Sequence, residues 1–342
     1  MERRMREVFP VFPDHKEFEW VATKGGAGEI PNYTSILFPY AGYAVMRTDW
    51  DQNATYIAFD GGMPGYGHIH MDKLNLVLWS GGRELLYDGG GGQYETSKWR
   101  RYGTSTFSHN TVIVDNLPQR VNRSNRRDLV PSEPVPLVWE TTEKYDYTVA
   151  VYDGDYGKQD NRIVKHERQV LFVKPDLILV ADKLTSLDNQ SHRYEARWHV
   201  NSTKTGRVND LIFTTDIAQP NLAIVPLLST NVQSASAQEK PDIRGWWVKR
   251  DGPMPTTTVS HTVSGAGVQH ILTLLMPLES EQTHGIQSVN AKGGLESEVV
   301  FENGQKLWVR LAKKDPGIDM TLLSKDAKTL KQVSVSGIIN KK

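Results

Sequence analysis

Residues 65–115 read GYGHIHMDKLNLVLWSGGRELLYDGGGGQYETSKWRRYGTSTFSHNTVIVD. Within them KLNLVLWS (73–80), RELLYD (83–88) and TVIVD (111–115) are short runs of branched and aromatic side chains, separated by glycine turns, and each predicts a strand. The same stretch gathers His68, His70 and His109, an aspartate closing an apolar run, a DGGGG turn, aromatics and the pair Arg100-Arg101. Strand scaffold and reactive side chains are therefore interleaved here, and a functional site is expected in this region.

The same period-two pattern extends outward. Upstream, YAGYAVMRTDW (40–50) and ATYIAFD (54–60) predict strands; downstream come YTVAVYD (147–153), VKHERQVLFV (164–173), DLILVADKL (176–184) and YEARWHVN (194–201). Lys174-Pro175-Asp176 predicts a hairpin turn between two of them. Runs such as NLAIVPLL, HILTLLMPL and KLWVRLA continue the style to the end, while a helical period is suggested only around 92–103. Turn signals about 8–12 residues apart, with more apolar strand than one layer can bury, predict an all-β fold: a large multilayer antiparallel β-sandwich. The polar, proline-broken segment 116–136 is expected as an exposed loop. Residues 1–35, basic at the start and then punctuated by proline and glycine, are expected to be a connector, with the sandwich domain over 36–342.

Forty basic and forty acidic residues give a net charge of +0, so no global field recruits nucleic acid or an anionic membrane. No apolar run reaches the length of a membrane-spanning helix, and the opening residues lack the apolar core of a signal peptide. With no cysteine, a zinc or iron site must draw on histidine and carboxylates.

His68 and His70 are two apart, which on a strand places both on one face. Asp88 and His109 fall at the ends of neighbouring predicted strands, so the fold could bring His70, Asp88 and His109 around one cation such as Zn²⁺. Polar residues at strand ends are equally compatible with ordinary solvation. HxHxD also opens a metallo-β-lactamase motif, but Lys73 stands where that motif needs histidine; a cupin would need a glutamate shortly after His70.

FDGGMPGYGHIHMDKLNLVLWSGGRELLYDGG, then Tyr94, then RRYGTSTFSHNTVIVD resembles the C-terminal domain of the heparinase II/III-like polysaccharide lyases, which include alginate and heparin lyases. The resemblance is dense over 37–116 and looser through HERQVLFVKPDLILVADKL and RWHV. It implies a β-sandwich partnered by an N-terminal α-helical toroid, which is expected to lie outside residues 1–342, with 1–35 as the connector to it. It implies a structural zinc on His70, Asp88 and His109, with His68 at the substrate cleft. It further implies a catalytic tyrosine after the aspartate, with Tyr94 the first candidate and Tyr102 the second. A periplasmic or secreted location in a bacterium follows from the family.

Such a lyase cleaves uronic-acid-containing polysaccharide by β-elimination. The chemistry needs donors for the substrate carboxylate and an acid and base near C5 and O4; His68 and a tyrosine suit these roles. Arg100, Arg101, Arg120, Arg123, Arg126 and Arg127 are candidate clamps for carboxylate or sulfate, and Trp99 could stack on a sugar face; each also suits a solvated loop or a core edge. His192 and His199 are read as core or surface residues, and His166, His261 and His270 have no evident partner. The competing reading is a non-catalytic polysaccharide-binding or scaffolding module.

Overall fold

The structure is a computed structural model that describes residues 2–65, 67–121, 131–280 and 282–339. Six strands come first: β1 (Ile36–Phe38), β2 (Tyr43–Arg47), β3 (Tyr56–Asp60), β4 (Leu76–Ser80), β5 (Arg83–Leu86) and β6 (Val112–Val114). β7 (Val138–Thr141), β8 (Tyr145–Tyr152), β9 (Val164–Val173), β10 (Leu177–Ser186) and β11 (His192–Val200) follow. The first sheet has nine strands, running β1 to β5, then β11, Thr257–Gly265 and Asn231–Ser236, with β6 also on β11. The second has eight and ends β10, β9, β8, β7; the third is a five-stranded meander over Ile286–Ser336.

The three sheets are stacked, and the middle one is buried on both faces. Along β9, Val170 and Phe172 enter the core shared with the first sheet, while Leu171 and Val173 enter the core shared with the third. That double burial is why VLFV reads as continuous apolar sequence rather than as an alternation. The expected multilayer antiparallel sandwich is the observed architecture, and β9 and β10 form the hairpin expected at Lys174-Pro175-Asp176.

Two local expectations are corrected, those for His68 and His70 and for the segment 116–136. The first 35 residues hold two short helices, α1 (Glu2–Val8) and α2 (Lys16–Thr23), and Arg6 Nε donates to the Ala22 carbonyl between them. Their proline and glycine punctuation marks helix ends, as at Lys24-Gly25, where the chain turns left-handed. His68 and His70 are not on a strand: between β3 and β4 the main chain bonds to turn partners, Met71 N to Thr104 O and Leu74 N to Asp60 O, and His68 is left-handed at φ 54°. The segment 116–136 is not wholly exposed, since Gln119 and Val135 are buried; residues 122–130 lie outside the described part.

What positions the site is a gap in the first sheet. One edge of β11 pairs fully with Thr257–Gly265, but on the other β5 meets only Val200 and β6 meets only residues 194–196. Between them Arg197 N donates to Thr111 O, His199 N to the side chain of Asn110, and Tyr87 N to His199 O. The chain leaves the sheet at Tyr87 and rejoins it at Asn110. Everything between stands on the sheet as an excursion containing the glycine turn and a short helix, α3 (Lys98–Gly103).

Candidate active site and cation site

His70, Asp88 and His109 each offer a donor atom, and these atoms lie within 4.8 Å of one another. His109 is fully buried, and its Nδ1 meets Asp88 Oδ1 at 2.7 Å. Asn75 Nδ2 and Gly89 N donate to the same oxygen at 3.0 Å, which fixes the carboxylate. His109 Nε2 is buried without a hydrogen-bond partner. An orphaned imidazole nitrogen is costly, and a cation would relieve it. Burial opposes the charge on Asp88, but His109 outweighs it and holds the carboxyl down at about 2. Burial likewise opposes the charge on His109, and Asp88 raises it above the ordinary histidine value; burial, then His109, keeps His70 below that value and neutral. One carboxylate beside two imidazoles, with no thiolate, fits a borderline divalent cation.

His68 is not part of this trio. Its imidazole bonds the Tyr94 hydroxyl through Nδ1, the rings meeting edge to face with centroids 5.7 Å apart. Tyr94 is 76% exposed, and His68 is exposed beside it, so the pair stands at the surface. Arg100 lies over the Tyr94 ring at 4.9 Å and donates to Gly91 O at 2.5 Å, tying helix α3 to the glycine turn.

Tyr102 differs sharply, at 5% exposure with its hydroxyl in the interior, and burial raises its pKa. Trp99 is half-buried against Trp246, with centroids 5.0 Å apart. Arg101 is exposed and bonds Thr96 O; Arg120 is half-buried with its Nε enclosed and unpaired. Arg123, Arg126 and Arg127 lie outside the described residues.

The sequence profile of the family described as "Heparinase II/III-like, C-terminal" matches residues 30–307. The chain belongs to this family. Among its relatives, the heparin-sulfate lyase of Pedobacter heparinus is 23% identical over 290 residues, covering 83% of this chain and 41% of that protein. The heparin-sulfate lyase of Bacteroides stercoris is 26% identical over 188 residues, covering 54% of this chain and 26% of its own. In structure, the heparan sulfate lyase of Pedobacter heparinus superposes with a TM-score of 0.72 at 20% identity, over 100% of this chain and 48% of that one. A heparinase III gives 0.75 at 17% identity, over 98% and 47%. The chain thus spans less than half the length of these relatives.

In this heparinase II/III-like sandwich the supports of the site are polar and buried. Asn110 stands in for a missing strand: its Nδ2 donates to Leu76 O and Tyr87 O, and its Oδ1 accepts from His199 N. Arg168 reaches across from the middle sheet, donating to Leu74 O and Asn110 O while Asp182 takes its Nε and Nη2. His166, expected to lack a partner, meets Asp182 at 2.6 Å, and His261 meets Thr273 Oγ1 at 3.1 Å. Interior histidines need such partners because burial leaves them no water. His192 is held between Asp115 and Asp188, and His199 is wholly buried. Glu195, Arg197, Arg244 and Asp242 form a second network, from which Arg197 reaches Phe107 O. Asn110, Arg168 and the Glu195 network are not singled out by the sequence; an arginine inside the apolar run of HERQVLFV is the signal that could have found one.

Proposed function

We propose that this chain is the β-sandwich half of a lyase that cleaves a uronic-acid-containing polysaccharide by β-elimination. The observation that carries the reading is the exposed Tyr94 hydroxyl bonded to His68, beside a buried His70–Asp88–His109 trio. In the reaction the C5–H and C4–O4 bonds break, a C4=C5 double bond forms, and the proton taken from C5 is returned to the departing O4. Tyr94 takes and returns that proton, and His68, hydrogen-bonded to it, holds the oxygen in place and donates to the substrate carboxylate as charge builds there. Arg100 and Arg101 supply positive charge at the same edge. Relatives named heparin-sulfate lyases favour a sulfated glycosaminoglycan over alginate.

His70, Asp88 and His109 hold a zinc ion in this reading, supported by their donor set and by the orphaned His109 Nε2. When bound, zinc supplies a fixed positive charge that ties three separate segments together; the proton transfers belong to Tyr94 and His68. An α-helical toroid domain supplies the opposite wall of the cleft, a reading favoured by relatives more than twice as long. We place the protein in the periplasm or outside the cell, where such polymers are met; fractionation finding it only in the cytosol would overturn this.

The test is incubation with heparan sulfate, heparin, alginate, hyaluronan and chondroitin, following the ultraviolet absorbance of the unsaturated uronate. Cleavage of a glycosaminoglycan that is lost in Tyr94→Phe and His68→Ala is expected. Cleavage only when a helical domain is added shows that this half does not act alone; no cleavage even then removes the lyase reading and leaves the alternative of a module that binds and scaffolds. For the metal, wild type is expected to hold one equivalent of zinc after dialysis and His70→Ala at least about tenfold less tightly. Stoichiometric zinc surviving in the variant would refute the ligand set.

A further inference from the structure

We propose that the two-stranded ribbon formed by Trp246–Lys249 and Gly252–Pro255 is the positioning element for Tyr94, an inference that rests on reading Tyr94 and His68 as the reacting pair. A side chain this exposed is not placed by its own packing, so its location is inherited from the backbone on either side. Much of the grip on that backbone comes from a ribbon more than a hundred residues away in sequence.

The grip has several independent points. Val248 N donates to Gly89 O at 3.3 Å, and Gln93, the neighbour of Tyr94, donates to Arg250 O at 3.1 Å. Gly90 has φ 67°, and a Cβ there would lie 2.6 Å from Val248 O, so the turn and ribbon meet backbone to backbone. On the far side of the turn, Gly103 of α3 is pressed on Gly90 O and on Val248, which sandwiches the turn between helix and ribbon. Trp247 stacks on Tyr87 with centroids 4.5 Å apart, and the Tyr87 hydroxyl meets Thr256 Oγ1 at 2.7 Å, so the start of the excursion is held too. Trp246 packs on Trp99, and Lys98 pairs with Glu239, which fixes α3 to the same region.

The ribbon therefore holds both flanks of Tyr94. Loosening it should leave the trio intact and free the phenol from His68. Displacements of about 1 Å at a reacting group cost up to about a hundredfold in rate, so a remote ribbon can decide activity.

The experiment is histidine side-chain nitrogen correlation spectroscopy on the whole chain in zinc-containing buffer, with His68 assigned through His68→Gln. Tyr94→Phe defines the signature of a lost Tyr94–His68 bond. Trp247→Leu and Gln93→Ala are expected to move the His68 signals most of the way to that signature, with the His192 signals unmoved. His68 signals at their wild-type positions in both variants would overturn the proposal. Should Trp247→Leu fail to fold, Gln93→Ala decides, because Gln93 is a surface residue. The reading of the reacting pair is judged separately: Tyr94→Phe that still cleaves polysaccharide refutes that reading, while the nitrogen signals judge the ribbon.

Discussion

At the scale of single residues, the site depends most on a side chain that performs no chemistry. Asn110 bonds Leu76 O, Tyr87 O and His199 N in the interior, closing the gap where β5 and β6 fail to meet on β11. Asn110→Ala strands two carbonyls and one amide away from water, each worth about 1–3 kcal/mol, so a loss of about 3–5 kcal/mol is expected in urea unfolding. A loss below about 1 kcal/mol would show that the gap is closed by other means. The HN pair was visible in the sequence, but only its histidine attracted a role. Spacing draws attention to residues with reactive chemistry, and an asparagine substituting for a strand has no spacing signal. Conversely the two-residue interval of His68 and His70 suggests one strand face, yet the backbone just after them, at Met71 and Leu74, bonds to Thr104 and Asp60 across the loop. Periodicity presupposes a ladder, and Gly65 and Gly67 had already broken it.

At the scale of elements, β11 is pinned by charge. Glu195 is wholly buried among Arg197, Arg244 and Arg193. Burial would raise its pKa, but Arg197 and then Arg244 outweigh that and bring it from an ordinary 4.5 down to about 2. Since the folded value is depressed, the unfolded chain takes up the proton first as pH falls. The stabilisation is fully present above about 4.5 and disappears as pH drops towards about 2, amounting to roughly 3 kcal/mol. Glu195→Gln leaves two buried guanidinium groups under-paired and is expected to cost about 3–5 kcal/mol at neutral pH. The stability difference between wild type and variant should narrow through that acid window; a difference independent of pH would refute the assignment. Strand positions here were legible from alternating apolar residues. The network was not, because Arg244 and Asp242 come from a loop whose return to β11 is a matter of tertiary topology.

At the scale of the molecule, the middle sheet belongs to two cores at once. Sequence alone indicated more than one packed layer, since so much strand cannot be covered by a single partner, but it could not say which strand lies in the middle. β9 does, with Phe172 turned to the first sheet and Leu171 to the third. A chain built as separable sandwiches would unfold in two steps; one whose central sheet is shared should unfold in one. Leu171→Ala and Phe172→Ala each open a cavity in a different core and should each cost about 2–5 kcal/mol. If the layers are one cooperative unit, both variants lower a single transition, seen alike by tryptophan fluorescence and by far-ultraviolet circular dichroism. Splitting into two transitions by Leu171→Ala alone would mean that the third sheet is an independent appendage. In that case the site on the first sheet would keep its His70–Asp88–His109 trio and its Tyr94–His68 contact through the first transition. Cooperative unfolding instead makes every layer a support of the site, because Arg168, on the same strand as Leu171, carries the load from the middle sheet to the Asn110 carbonyl.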